Sequence, residues 1–280
     1  MDERPTVKAA LRRASEMLQN PKEAAILLAH HLGKDRLWLM MHEDAYVERS
    51  DAFFALTQRR VRHEPIEYIT GSVSFYGETF HIAPGALIPR PETELLIDHA
   101  AEIIARESLT RIAEIGTGSG IISVMLARRF PQLSITATDI DPAVFAIARR
   151  NAEAFGVAER ITFVHTPYLE GIKENFDMIV SNPPYIANHF TLEPPLGYEP
   201  PHALFGGDAG DEILREIIDL AIEREIPWLA CEMGYDQKER LSRYMQRQGV
   251  SSCSFYRDYS GFDRGFTAQT RSEASQTVKR

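Results

Sequence analysis

Ala113-Glu114-Ile115-Gly116-Thr117-Gly118-Ser119-Gly120-Ile121 decides how this chain is read. A short apolar run, Arg111–Ile115, reaches the first glycine, and a helical pattern follows over about 119–129. Glycines at such a junction let the backbone turn tightly and bring N–H groups against a ligand at the positive end of a helix. The spacing is G-x-G-x-G, and Ile121 stands where a dinucleotide fingerprint places its last glycine, which disfavours a nicotinamide dehydrogenase. Asp139 closes the next strand, 23 residues after Gly116. In an open α/β sheet a carboxylate there lies beside the first loop and can accept both hydroxyls of a ribose. Asp141 is the better cap for the helix beginning near Pro142, so Asp139 is left for a ligand of adenosine type.

Outward from this loop, strands and helices alternate. The strands are Arg111–Ile115, Ser134–Asp139, Ile161–Val164, Phe176–Ser181 and Pro227–Glu232, and the helices fall at about 119–129, 142–155, 210–224 and 236–248. Short apolar strands between amphipathic helices predict a parallel sheet covered on both faces. Ser251–Arg257 and Arg264–Thr270 have only a turn-rich segment between them, which predicts a terminal antiparallel hairpin. Arg271–Arg280 reads as a solvated tail. Upstream, Val7, Leu11, Ala14 and Leu18 form one helical stripe, and Asn20-Pro21 with Gly33 brackets a second helix over 21–32. Ser50 or Asp51 is expected to cap a further helix. Ser72–Tyr76 and Glu78–Ile82 alternate around Gly77 as a β-hairpin, and Arg90, Glu92 and Glu94 in the proline-bracketed loop beyond it are expected chiefly to order that loop.

Ser181-Asn182-Pro183-Pro184-Tyr185 follows the fourth strand, at a carboxyl strand end where ligands bind in such sheets. Average residue usage puts Asn-Pro-Pro-aromatic by chance in on the order of one chain in several hundred. The pattern suits a carboxamide or exocyclic amine as nucleophile. Such a nitrogen is planar and its lone pair delocalised, so it attacks poorly. The Asn182 side-chain carbonyl and a backbone carbonyl near Pro183 can hold its two hydrogens and turn the lone pair outward. Neither Pro183 nor Pro184 carries an N–H, so the turn is stiff and rich in acceptors. Tyr185 is expected to stack on the planar group. Asn182, Pro183 and Tyr185 are thus the catalytic candidates.

Composition narrows the function. Of 280 residues, 44% are hydrophobic and 25% charged, as in soluble globular proteins. The net charge of −9 lies wholly outside residues 1–70, where 11 basic residues balance 11 acidic ones. Nucleic-acid backbones require concentrated positive charge, so no direct nucleic-acid target is expected. Two cysteines exclude a disulfide scaffold and suit a reducing cytoplasm. The acidic N-terminus carries no secretory signal, and no apolar run is long enough to span a bilayer. Nine scattered histidines, His30-His31 among them, show no metal-ligand spacing, so no metal is expected.

These blocks together resemble the bacterial PrmC/HemK proteins, the S-adenosylmethionine-dependent glutamine methyltransferases of peptide-chain release factors. The resemblance covers nearly the whole chain. It runs through Pro65-x-x-Tyr68-x-x-Gly71, Ile88–Glu94, the glycine loop, Asn182–Tyr185, Tyr198-Glu199-Pro200-x-x-Ala203-Leu204, Asp258-Tyr259 and Asp263-Arg264. It implies an α/β fold: a seven-stranded, Rossmann-like class I methyltransferase domain ending in an antiparallel hairpin. The implied boundaries are a helical substrate-recognition domain at 1–70, a β-hairpin linker at 71–90 and the methyltransferase domain at 91–280. S-adenosyl-L-methionine, yielding S-adenosyl-L-homocysteine, would contact Gly116, Thr117, Gly118, Ser119, Gly120, Asp139, Tyr168 and Asn182. The release-factor glutamine would meet Asn182, Pro183, Pro184 and Tyr185. A cytoplasmic monomer is expected.

The sequence departs from that family at two places. His165-Thr166-Pro167 stands where an acid near the adenine is expected, which leaves backbone groups and stacking by Tyr168 for that contact. Gly265 replaces a β-branched residue and is expected to loosen the final strand. Three other readings share parts of the pattern: a ribosomal-protein glutamine methyltransferase, an adenine-N6 nucleic-acid methyltransferase, and a cofactor-binding adaptor.

Overall fold

The computed structural model describes residues 4–270, and these divide into two compact units. The smaller takes in the residues up to Ser72 together with Glu193–Tyr198. Its helices are α1 (Val7–Leu18), α2 (Pro21–Leu32), α3 (Arg36–Met41), α4 (Ser50–Val61) and α5 (Ile66–Thr70). Asn20 caps α2 by accepting from the Lys22 and Glu23 amides, and Gly33 ends it in the left-handed region. Such a cap contributes about 1 kcal/mol. Val7, Ala10 and Ala14 of α1 pack with Leu27 and Leu28 of α2 and Phe53 of α4 into one core. Neither Ser50 nor Asp51 caps α4: Arg49, in the left-handed region, precedes it and no side chain takes the amides. Arg36–Met41 carries too few residues to show a period, and the sequence did not reveal it.

The larger unit holds the rest. Its elements are β1 (Ser72–Phe75, beginning one residue before the unit), β2 (Glu78–His81), α6 (Thr93–Glu107), β3 (Arg111–Ile115), α7 (Ile121–Arg129), β4 (Ser134–Asp139), α8 (Val144–Ala154) and β5 (Ile161–His165). They continue with β6 (Met178–Ser181), β7 (Ile186–Ala187), β8 (Phe205–Gly207), α9 (Glu212–Glu223), β9 (Trp228–Glu232), α10 (Lys238–Arg247), β10 (Ser252–Arg257) and β11 (Asp263–Gln269). A seven-stranded sheet has the order β10-β11-β9-β6-β3-β4-β5. The five strands β9, β6, β3, β4 and β5 are parallel, β5 forming one edge, while β11 runs antiparallel to both β9 and β10. Ala113, Ile115, Ile179 and Leu229 on one face pack against Leu214 and Ile217 of α9 and Leu241 and Met245 of α10. Helices α6, α7 and α8 pack side by side, with α6 against β9 and α7 against β4 and β5.

The hairpin β1–β2 is fastened to this unit. Asn151 of α8, fully buried, accepts from the His81 amide at 2.8 Å and donates to the His81 and Ser119 carbonyls at 3.0 and 2.9 Å. One side chain therefore joins the hairpin, α8 and the glycine loop.

Gly265 keeps its place in the last strand, although the pairing of β10 with β11 shifts register beside it, between Tyr256 and Arg257. It pairs across from Tyr256, whose ring lies over the position; a Cβ there would sit 2.0 Å from the phenol oxygen. The aromatic ring supplies the cover that a side chain at 265 would otherwise give. The tail from Arg271 onward lies outside the described residues. Among those described, no helix is long and apolar enough to cross a membrane.

Candidate active site

Strand β3 has β4 on one side and β6 on the other, so the chain leaves it in both directions and a crevice opens over the carboxyl ends. A cavity of about 330 Å³ lies there, bounded by Gly116 and Gly118 after β3, Asp139 and Ile140 at β4, Tyr168 after β5 and Asn182 after β6. That volume suits a small organic ligand.

The glycine loop divides into a front and a back. Gly116 and Gly118 line the cavity at φ of 74° and 50°, and a Cβ on either would meet nothing within 4 Å. They are needed for conformation and leave open space beside the backbone, but not the amides sequence reasoning expected for a ligand: Gly116 N–H is given to Thr138 O and Gly118 N–H to Asp139 Oδ2, both at 2.9 Å. Gly120 has another reason: a Cβ would lie 2.9 Å from that of Ala148, so its absence lets α8 come close. Thr117 and Ser119 are buried behind the loop. The Thr117 hydroxyl donates to Glu114 at 2.9 Å, and Ser123 donates to the same carboxylate oxygen through its amide and hydroxyl. Burial pushes the Glu114 carboxyl up to about 7 despite these donors. Asp139 accepts from Gly118 N at 2.9 Å with Oδ2 and from Asp141 N at 3.0 Å with Oδ1. Asp141 takes the Ala143 amide at 2.9 Å at the entry to α8.

After β6, Asn182 lines the cavity together with Pro183 and Pro184. Its Nδ2 donates to Thr93 Oγ1 at 3.2 Å, and the Thr93 hydroxyl donates to Glu232 Oε2 at 2.7 Å. Tyr185 donates its phenol to the other oxygen of Glu232 at 3.0 Å. Tyr185 therefore turns away from the cavity into the core, where burial raises its phenol well above the ordinary range. Burial likewise pushes Glu232 up to about 7. The backbone is equally fixed. Tyr185 O accepts from the buried Gln237 side chain at 2.9 Å, and Pro184 O lies so close to Gly206 that a Cβ there would be 2.4 Å away. Among the described hydrogen bonds Pro183 O takes none, so it is a backbone acceptor left for a ligand.

Around the rest of the rim, Ile140, 54% exposed, and Pro167 offer apolar surface, and His165 Nε2 holds the Ile140 carbonyl at 3.0 Å. Tyr168 has φ of 49° and bonds Glu216 through its phenol. Arg90 pairs with buried Glu199, which also accepts from Ile88 N at 2.9 Å; Glu94 accepts from Tyr76 N at 2.7 Å. Arg90 with Glu199 orders the loop before α6, whereas Glu94, in the first turn of α6, holds the turn of the β1–β2 hairpin.

Residues 91–193 match the methyltransferase small domain and residues 7–71 the PrmC N-terminal domain. The release factor glutamine methyltransferase of Bordetella pertussis is 35% identical over 86% of this chain and 92% of its own length. That of Chlorobaculum tepidum is 36% identical over 92% and 93%. The chain belongs to the release factor glutamine methyltransferase family.

The fold of this methyltransferase is shared more widely. The N-terminal domain of human METTL16 in complex with SAH superposes with a TM-score of 0.53 at 18% identity, over 82% of this chain and 86% of that one. In the methyltransferase, sequence reasoning placed Gly116, Gly118, Asp139, Tyr168, Asn182, Pro183 and Pro184 at what is one cavity, and it missed Thr93, Glu232, Gln237 and Ile140 as parts of the site. Glu232 had one legible trait: like Asp139, it is an acid at the carboxyl end of an apolar strand. Thr117, Ser119, Gly120 and Tyr185 stand behind the cavity wall. Among the described residues no group of three or more His, Cys, Asp or Glu side chains is placed to hold a metal ion.

Proposed function

We propose that the enzyme transfers a methyl group from S-adenosyl-L-methionine to the side-chain amide nitrogen of a glutamine in a peptide-chain release factor, in the cytoplasm. The observation that carries this reading is Asn182, tied back through its NH2 group so that its carbonyl is the acceptor presented to a cavity with a glycine loop and Asp139 opposite.

The residues present fit the donor. Gly116 and Gly118 expose backbone at a strand-to-helix turn, Asp139 brings carboxylate oxygens to the rim for a ribose, and Ile140 with Pro167 offers apolar cover for a flat base. The acid that relatives place near the adenine has no counterpart at His165–Pro167, so apolar contact takes a larger share of base recognition here. When bound, S-adenosyl-L-methionine supplies the methyl group on an already activated sulfonium.

The protein's task is then placement. Asn182 Oδ1 and Pro183 O accept the two amide hydrogens of the glutamine and turn its nitrogen toward the donor side of the cavity. Positioning of this kind is worth roughly 7–11 kcal/mol of barrier. No strong base is needed, because the attacking nitrogen releases its proton after the bond forms. Tyr185 stiffens the turn from behind. Residues 1–70 form a helical domain that reads the partner's shape, residues 71–90 a linker, and residues 91–280 the catalytic domain.

The test is purified protein with labelled donor and, separately, release factor, ribosomal protein and adenine-containing nucleic acid, read by mass spectrometry. Methyl transfer to one release-factor glutamine is expected. Transfer to ribosomal protein or adenine alone overturns the substrate, and no transfer to any of them overturns catalysis. Asn182→Ala should lower turnover about 100- to 1,000-fold with little change in cofactor affinity.

A further inference from the structure

We infer that Thr93 and Glu232 are positioning residues that dictate which end of the Asn182 carboxamide meets the substrate; this rests on the glutamine reading above. A carboxamide is nearly isosteric about its C=O/NH2 exchange, so shape alone does not decide which group faces the cavity. The hydroxyl of Thr93 does. It has one proton, and that proton is given to Glu232 Oε2 at 2.7 Å. Toward Asn182, 3.2 Å away, Thr93 therefore offers only lone pairs. An NH2 group is welcome there, whereas a flipped amide would set oxygen against oxygen.

The direction is passed on. Glu232 accepts, Thr93 donates to it, Asn182 donates to Thr93, and the Asn182 carbonyl is left as acceptor for the incoming amide. With the opposite flip an NH2 would face the NH2 of glutamine, and neither could accept. Glu232 also takes the Tyr185 phenol, so one carboxylate fixes both ends of the Asn-Pro-Pro-Tyr turn. Its placement is rigid for a physical reason. Thr93 opens α6 and is 2% exposed, and Glu232, 1% exposed, is the last residue of β9, two strands from β3. A buried chain of donors and acceptors allows few alternatives, because a group left unpaired there costs its full desolvation.

The test uses the full chain with release factor. Thr93→Val keeps the shape and removes the hydroxyl; Thr93→Ser keeps the hydroxyl. Single-turnover methyl transfer should fall about 10- to 100-fold in Thr93→Val and return in Thr93→Ser. Calorimetry should give wild-type affinity for S-adenosylhomocysteine in both. In the Asn182→Ala background, Thr93→Val should cost nothing further, since no carboxamide remains to be oriented. Full activity in Thr93→Val, an equal penalty repeated in the Asn182→Ala background, or a loss matched by weaker cofactor binding would each overturn the inference. A wild-type enzyme that methylates no glutamine would instead remove the reading on which it rests.

Discussion

Gly118 donates its amide hydrogen to Asp139 Oδ2 over 2.9 Å, so the glycine loop and the end of the next strand are one hydrogen-bonded unit. The carboxylate holds the loop with Oδ2 and the Asp141 amide with Oδ1, and the residue lines the cavity. Asp139→Ala removes both. Charge-assisted hydrogen bonds of this kind set the scale, and cofactor affinity should weaken about 10- to 100-fold. Isothermal titration with S-adenosylhomocysteine checks this, and wild-type affinity would take Asp139 out of the ribose contact.

Tyr256 fills the space over Gly265, so that position has no room for a side chain. Gly265→Val should destabilise the fold by about 1–3 kcal/mol through overpacking. Tyr256→Ala in the same chain relieves the overlap with the ring, though not with the Cys231 carbonyl 2.5 Å from the same Cβ, so the two penalties should combine to less than their sum. Urea denaturation of the two single variants and the double variant measures this. Strict additivity would show that the ring and the glycine do not compete for the same space.

Glu114 gives stability a pH dependence of definite sign. Burial raises its carboxyl to about 7 in the folded state, above the ordinary value of 4.5. The folded chain then binds more protons than the unfolded chain between those limits, so stability falls as pH rises through that window. Glu114→Gln does not titrate. The melting temperature of wild type minus that of Glu114→Gln should therefore decline from pH 5 to pH 8. A difference that is flat or rises would contradict the buried-acid account.

Activity should depend on pH in the opposite sense through Glu232. Burial is the main cause of its rise to about 7; Thr93 and Tyr185 donate to it, Glu92 raises it further and Arg264 of β11 opposes. Tyr256 of β10, a buried phenol close by, stays neutral. Above this value both oxygens accept and the hydrogen-bond direction through Thr93 is enforced. Below it a proton on Oε2 lets Thr93 turn its hydrogen toward Asn182. Methyl transfer should lose rate as pH falls through about 7. That acid limb should vanish in Glu232→Gln, and its persistence there would assign the titration to another group.

The parallel strands were legible because each is a short apolar run between clear breaks, and β3, β4 and the β10–β11 hairpin came within a residue or two of their observed bounds. The glycine loop, Asp139 and Asn182 were legible for the same reason: chemistry sits at carboxyl strand ends, and strand ends could be located. Thr93 and Glu232 were not, because their role depends on a helix start and a strand end 139 positions apart meeting in space. Tyr185 shows another limit. An aromatic after two prolines suggests a stacking surface, yet only the buried carboxylate behind it reveals which way the ring turns. The cover over Gly265 was not legible because a cross-strand partner, not the residue itself, fills its place.

The Asn182 carbonyl, as the acceptor that grips the substrate amide, is the central feature of the proposed site. A crystal structure with S-adenosylhomocysteine and a glutamine peptide from a release factor measures this most directly. The glutamine nitrogen should lie within hydrogen-bond distance of Asn182 Oδ1 and Pro183 O, with Asn182 Nδ2 still on Thr93. A glutamine amide bound elsewhere in the cavity, or facing Asn182 Nδ2, would contradict it.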